Sequence, residues 1–169
     1  MKDKEIILLG FMGSGKSEVG RRLAQELGIP FVDMDEEIEK REGRTIGEIF
    51  KREGEDYFRR KEGEILKEII CGERKVVSTG GGVVINPENW KILRKGITIY
   101  LEIGEEEAYQ RLKNVNDRPL LWKKDRKRAI SRLLSSRRVL YEQADFKVNT
   151  EKKDFQEIVE EIKEILKVK

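Results

Sequence analysis

Histidine is absent from the 169-residue chain, and cysteine occurs once, at Cys71. One thiol cannot form an intrachain disulfide, and without imidazole there is no Cys/His cluster to hold zinc. Any general base must be something other than histidine. Long hydrophobic runs are missing too. The charged residues Lys2, Asp3, Lys4 and Glu5 lead into an apolar run that stops at Gly10, too short for a signal peptide or a membrane span. The expectation is a cytoplasmic protein with no membrane partner.

A large charge excess is also lacking. Lys plus Arg number 36 against 33 Asp plus Glu, a formal net charge of +3, so the chain has no clustered basic excess aimed at nucleic acid. Trp90 and Trp122 stand alone, without the interleaved basic and aromatic residues of a base-stacking surface. What the chain does have is charge density. Charged residues make up 41% of it, both signs interspersed, as in proteins that cover their surface with ion-pair networks for high temperature. The length suits one ordinary domain that buries its core without staples, so residues 1–169 are read as a single domain, monomeric by default.

Apolar runs and helical periodicities alternate along the chain. Short strands are expected at 6–9, 31–32, 75–78, 97–101 and 146–148. Between them Val19, Leu23 and Leu27 recur at helical spacing, and Ile46, Ile49, Phe50, Phe58, Ile65 and Ile69 mark the buried faces of successive charged helices. Further helices are expected around Trp90, through Arg111 and Leu112, and on Ile130, Leu133 and Leu134; residues 114–119 between the last two read as a loop. Phe155, Ile158, Val159, Ile162, Ile165 and Leu166 trace a closing helix, with Asp154 and Glu157 as its capping box. Strands alternating with helices imply a parallel sheet.

Gly10-Phe11-Met12-Gly13-Ser14-Gly15-Lys16-Ser17 matches G-x-x-x-x-G-K-[ST] between an apolar strand and a helix, the context that a Walker A loop requires. Its glycines let backbone N–H groups, with Gly13, Ser14 and Gly15 among them, turn in around phosphate oxygens. The helix start adds the positive end of its dipole, Lys16 bridges the β- and γ-phosphates, and Ser17 is placed to ligate Mg²⁺. The loop alone leaves the reaction open. No N-K-x-D or D-x-x-G string occurs, which disfavours a GTPase, and the strands at 75–78 and 97–101 do not end in the Asp-Glu of a Walker B segment. Mg²⁺ needs another carboxylate. Asp33 and Asp35 are two apart after the second strand, so in an extended segment both project from one face: Asp33 to hold Mg²⁺ through water, Asp35 to take the proton of an attacking hydroxyl. The alternative is that Asp33 merely ends the strand and Asp35 caps the next helix.

Taken in order, the Walker A loop, Asp33-Met34-Asp35, Phe58-Arg59, Gly80-Gly81-Gly82, Arg118-Pro119-Leu120-Leu121 and Arg137 before Leu140-Tyr141 resemble the motif set of shikimate kinases over nearly the whole chain. The resemblance implies a three-layer α/β/α domain with a five-stranded parallel sheet, of the P-loop NTPase, nucleoside monophosphate kinase-like type. It also implies a mobile lid at about residues 112–125 and an acceptor-binding helical segment at about 33–62. Within it, Arg59 and Arg137 correspond to the family's carboxylate-binding arginines, and Gly80, Gly81 and Gly82 to the run that lines the acceptor site. Arg118 matches the lid arginine, which neutralises charge on the transferring phosphoryl group together with Lys16; Arg111 and Asn149-Thr150 match the positions around adenine. Arg60 and Arg138 stand beside the two carboxylate-binding arginines, so register decides which of each pair points inward. The sequence also departs from the family's habit by carrying Val139 where proline is common two places after Arg137.

The activity implied is ATP-dependent phosphorylation of the 3-hydroxyl of shikimate, with Mg²⁺ as cofactor and ATP and shikimate as small-molecule partners. Two alternatives stand beside it: another small P-loop kinase, of gluconate or nucleoside monophosphate kinase type, and a non-catalytic ATP-dependent binding module.

Overall fold

The computed structural model describes residues 4–167. Its centre is strand β1 (Ile6–Leu9), whose four side chains are all fully buried. Successive strand residues face opposite ways, so an uninterrupted apolar run suits a strand covered on both sides. Accordingly Ile7 and Leu9 join one core cluster, with Phe11, Met34, Leu66 and Tyr141, while Ile6 and Leu8 join the other, with Val19, Leu23 and Ile158. The two clusters are the two interfaces of a three-layer α/β/α domain.

Around β1 the strands β2 (Phe31–Asp33), β3 (Val76–Ser78), β4 (Ile97–Glu102) and β5 (Phe146–Asn149) complete a five-stranded sheet in the order β2-β3-β1-β4-β5. Every pairing is parallel, with Ile6 opposite both Val76 and Ile97. All strand C-termini therefore open on one edge, where chain order reverses about β1. An open parallel sheet binds its ligands in such a crevice.

Helix α1 (Lys16–Leu27) follows β1 and stops at Gly28, in the left-handed region at φ 65°. The charged stretch after β2 folds into three helices, α2 (Met34–Glu42), α3 (Ile46–Glu53) and α4 (Glu55–Ile69), broken at Gly43 and Gly54. Thr45 and Glu48 form a capping box at the start of α3. Helix α5 (Pro87–Leu93) carries Trp90, whose indole N–H donates to Val84 O at 3.1 Å in the core. Helices α6 (Glu105–Leu112), α7 (Arg126–Tyr141) and α8 (Phe155–Lys167) complete the chain, α8 beginning with the Asp154/Glu157 capping box at 2.7 and 2.9 Å. The loop expected between α6 and α7 is present, with one 3₁₀ turn at Pro119–Leu121.

Dense surface charge becomes ion pairs that cross between helices: Arg41 of α2 bonds Glu37 and reaches Glu68 of α4, and Lys163 of α8 meets Glu26 of α1. Exposed pairs contribute little each, so the layers are held by the two cores. Among the described residues no helix is long and apolar enough to cross a membrane.

The structure corrects one local expectation. The backbone turns helical at Met34, so Asp35 lies in the first turn of α2 and not on an extension of β2. Asp33 caps that helix, its Oδ1 accepting from the backbone N–H groups of Asp35 (2.9 Å) and Glu36 (3.3 Å). Capping was the alternative role considered for this pair, but the two residues are exchanged in it: the strand-ending Asp33 is itself the cap.

Candidate active site

The glycine loop leaves the C-terminal end of β1 and runs into α1. Gly13 and Gly15 have φ of 79° and 89°, a region that side chains rarely enter, and the curve they make turns the loop around Lys16. Gly15 is the N-cap of α1 and offers no side-chain acceptor to the first turn. Backbone N–H groups there can point at an anion, favoured by the helix dipole. The Lys16 ammonium is nearly buried and donates to the carbonyls of Gly10 (2.8 Å) and Phe11 (2.9 Å), with a longer contact to Ser14 Oγ (3.5 Å). Burial is the main cause that lowers its pKa, to about 8; the Asp35 carboxylate opposes the shift.

Ser17 donates its hydroxyl to Asp33 Oδ2 and lies 3.4 Å from Ser78 Oγ at the end of β3. A hydroxyl and a carboxylate aimed at each other beside a phosphate loop suit Mg²⁺, which takes one or two protein oxygens and fills its octahedron with phosphates and water. No group of three or more His, Cys, Asp and Glu able to enclose a metal occurs among the described residues. Ser17 and Asp33 offer two oxygens, the number that Mg²⁺ commonly takes from protein where phosphates supply others.

A second pocket adjoins this loop. It is lined by Met12, Asp35, Arg59, Gly80, Arg118 and Arg137 among others, with Phe50 and Phe58 as an aromatic wall. Asp35 stands over it from the first turn of α2. Burial raises its carboxyl pKa, the nearby Arg118 cation opposing that shift, and Arg118 Nη1 donates to Asp35 Oδ2 at 3.4 Å. The register of both arginine pairs is decided here. Arg59 faces inward while Arg60 is exposed, and Arg137 is 3% exposed while Arg138 and Val139 lie outside. The position where the family's proline is common is therefore a surface one, away from the pocket.

Residues 80–82 follow β3, and none of the three has positive φ. Turn geometry does not require them to be glycine; at Gly80 and Gly82 it is room that is short. A Cβ on Gly80 would sit 2.7 Å from Glu62 Oε2 and 3.0 Å from Asp35 Oδ1, and one on Gly82 would overlap the Arg59 guanidinium.

Two further residues belong here: Glu62, which nothing in the sequence singles out, and Tyr141, which the motif order includes without a role. Glu62, 1% exposed on α4, accepts from Arg59 Nη1 at 2.9 Å through Oε1, while its Oε2 has no hydrogen-bond partner. Burial raises its pKa, Arg59 opposing. Its only trace in the sequence is the i,i+3 spacing from Arg59. Tyr141, four residues after Arg137 on α7, donates its hydroxyl to Gly81 O at 2.5 Å and stacks on Tyr100 at 5.1 Å between ring centroids.

The residues expected around adenine are spread along the same edge. Arg111, on the last turn of α6, donates to Gly13 O at 2.8 Å and pairs with Glu107. Asn149 ends β5, with Oδ1 accepting from Glu151 N–H at 2.8 Å; Thr150 is buried and bonds Glu102 O. Trp122 sits in the loop between α6 and α7, its N–H donating to Asn116 O at 2.9 Å.

A phosphate loop on the central strand of a β2-β3-β1-β4-β5 sheet, beside a pocket holding a buried carboxylate and two inward arginines, defines a P-loop kinase of small molecules. Comparison with known proteins narrows the class. The shikimate kinase family profile matches residues 12–167. The chain is 46% identical over 160 residues to the shikimate kinase of Thermodesulfovibrio yellowstonii, covering 94% of this chain and 92% of that one, and 45% identical to that of Persephonella marina, covering 94% and 96%. A shikimate kinase from Acinetobacter baumannii, solved in complex with shikimate, superposes with a TM-score of 0.94 at 36% identity, covering 96% of this chain and 92% of the other. A gluconokinase from Sinorhizobium meliloti, at 22% identity and a TM-score of 0.59, shares the fold alone. The chain belongs to the shikimate kinase family.

Proposed function

We propose that the chain transfers the γ-phosphoryl group of ATP to the 3-hydroxyl of shikimate, giving ADP and shikimate 3-phosphate, with the two pockets as nucleotide and acceptor halves of one site. The observation that carries this reading is the convergence of Asp35, Arg59, Arg137 and residues 80–82 on one pocket beside Lys16 and Arg118.

Arg59 and Arg137 hold the shikimate carboxylate, for which the planar guanidinium fork offers paired donors. The glycine run lets the ring approach bare backbone, and Asp35 accepts the hydrogen of the attacking hydroxyl. A carboxylate whose pKa is raised by burial is a better proton acceptor than one in water. As the new P–O bond forms, the bond to the β-phosphate oxygen breaks and the hydroxyl proton passes to Asp35. Lys16 and Arg118 stabilise the charge that moves onto the phosphoryl oxygens and ADP. Gly13, Ser14 and Gly15 cradle the phosphates, while Arg111 and Asn149 flank adenine. Ser17 and, through water, Asp33 would hold Mg²⁺, which when bound would neutralise phosphate charge. Residues 112–125 act as the lid over the nucleotide, and the helical segment 33–62 as the acceptor-binding part. The proposed enzyme works as a monomer in the cytoplasm.

The test is ADP release measured with shikimate, gluconate or AMP as acceptor, for the wild-type protein and Asp35→Asn. Shikimate alone should stimulate release, and Asp35→Asn should abolish the stimulation. Release that is indifferent to shikimate would refute the assignment.

A further inference from the structure

Arg126 is the first residue of α7, directly after the lid segment, and its guanidinium turns back to the lid's other end. Nη1 donates to the carbonyl oxygens of Leu112 (3.1 Å), Lys113 (2.9 Å) and Val115 (2.7 Å), and Nη2 reaches the Asn116 side-chain oxygen at 3.4 Å. These carbonyls stand at and just past the end of α6, where a helix runs out of internal donors and its dipole favours a cation. One cation thereby joins the two roots of the lid.

Either side of that clamp is tied to the site. On the α6 side, Arg111 holds Gly13 of the phosphate loop at 2.8 Å. On the lid side, Trp122 braces Asn116 at 2.9 Å and Arg118 reaches Asp35 at 3.4 Å. A continuous run of contacts therefore leads from the phosphate loop through the end of α6 and Arg126 to the lid, and from the lid to the acceptor carboxylate. The acceptors of Arg126 are carbonyls and an amide oxygen, not the carboxylate that a solvated surface arginine would choose. A planar fork with five N–H donors can serve several of them at once, which an ammonium on a flexible stem does poorly.

We infer that Arg126 is a positioning residue for phosphoryl transfer: by clamping the lid's roots it sets where Arg118 stands, without touching either substrate. This rests on the reading of residues 112–125 as a lid carrying Arg118. Because that arginine acts only in the assembled site, loosening its base should lower kcat more than it raises KM for shikimate.

The experiment compares Arg126→Ala, Arg126→Lys and Arg118→Ala. Coupled ADP release is measured with ATP and shikimate varied separately, together with acrylamide quenching of tryptophan fluorescence in saturating ATP, Mg²⁺ and shikimate. Trp90 is 5% exposed and Trp122 49%, so quenching reports the lid. For Arg126→Ala, kcat should fall about 10- to 100-fold, the scale of a misplacement near 1 Å. KM for shikimate should stay within about twofold, quenching should rise, and Arg126→Lys should recover part of both. Should Arg126→Ala fail to fold, Arg126→Gln takes its place with the same readouts. Wild-type kcat in folded Arg126→Ala, or a lower Tm with kcat and quenching unchanged, overturns the inference. If Arg118→Ala is inactive while Arg126→Ala is unimpaired, only this inference fails; wild-type turnover in Arg118→Ala removes the lid reading beneath it as well.

Discussion

Alanine at position 82 tests the acceptor pocket by a route that mutates none of the proposed substrate-binding side chains. Gly82 has φ −98° and ψ 3°, a conformation that alanine adopts, so the backbone sets no obstacle. Restricting the unfolded chain would even stabilise the fold by about 0.4–1 kcal/mol. The defect comes from the methyl group, which would occupy the space of the Arg59 guanidinium. Arg59 is a long side chain, partly exposed and held by Glu62 at 2.9 Å and Glu55 at 3.3 Å, so it swings aside and the backbone stays put. A charge-assisted hydrogen bond contributes about 1.5–3 kcal/mol. Losing one such bond to the shikimate carboxylate should raise KM for shikimate roughly 10- to 150-fold, at 1.36 kcal/mol per tenfold. Lys16, Asp35 and Arg118 are untouched, so kcat at saturating shikimate should hold within about threefold. ADP release titrated with shikimate at saturating ATP measures the first quantity, and calorimetric titration with ATP alone serves as the control. A wild-type KM for shikimate, or an equal loss of ATP affinity, would refute the reasoning.

Other consequences follow from the same geometry. Arg118→Ala should keep the fold and much of the substrate affinity while kcat drops about 10³-fold or more, as for other arginines that neutralise a transferring phosphoryl group; steady-state kinetics beside a circular dichroism melt checks both halves. Asp35→Asn should lose about 10²- to 10⁴-fold in turnover yet raise the Tm of the ligand-free protein at neutral pH. Burial makes folded Asp35 hold its proton more tightly than the unfolded chain does, so stability falls as pH rises through its folded pKa, and asparagine removes that cost. A lower Tm would count against it. Lys16 gives the opposite slope. Its folded pKa of about 8 lies below the ordinary 10.5, so the unfolded chain binds more protons between these values and the ligand-free fold gains stability across that window. Over the same range kcat/KM for ATP, which reports the free enzyme, should fall as the ammonium is lost, and a flat profile to pH 10 would contradict the assignment of Lys16.

The features most legible in the sequence were local ones. A four-residue apolar run followed by the glycine loop names a central strand and a phosphate site together, because the unbroken apolar run and the glycine spacing are patterns among neighbours in the chain. Helix periodicity and the Asp154/Glu157 cap were readable for the same reason. Asp35 is the exception, because two residues of alternating pattern cannot distinguish a strand's continuation from a helix's first turn. What separates them is the bond from Asp33 to the N–H of Asp35. Glu62 was passed over because one more acid in a charged helix carries no mark of burial.

By itself, then, the sequence determined the alternation of strands and helices, the phosphate loop and the ordered motifs that place the chain in its family, since each is written in short-range spacing. Only the tertiary structure decided which arginine of each pair turns inward, that Gly80 and Gly82 are short of room although neither has positive φ, and that Arg126 spans the lid's roots. These depend on what α2, α4, α6 and α7 bring within a few ångströms of residues far away in the chain, and spacing along one segment does not encode that.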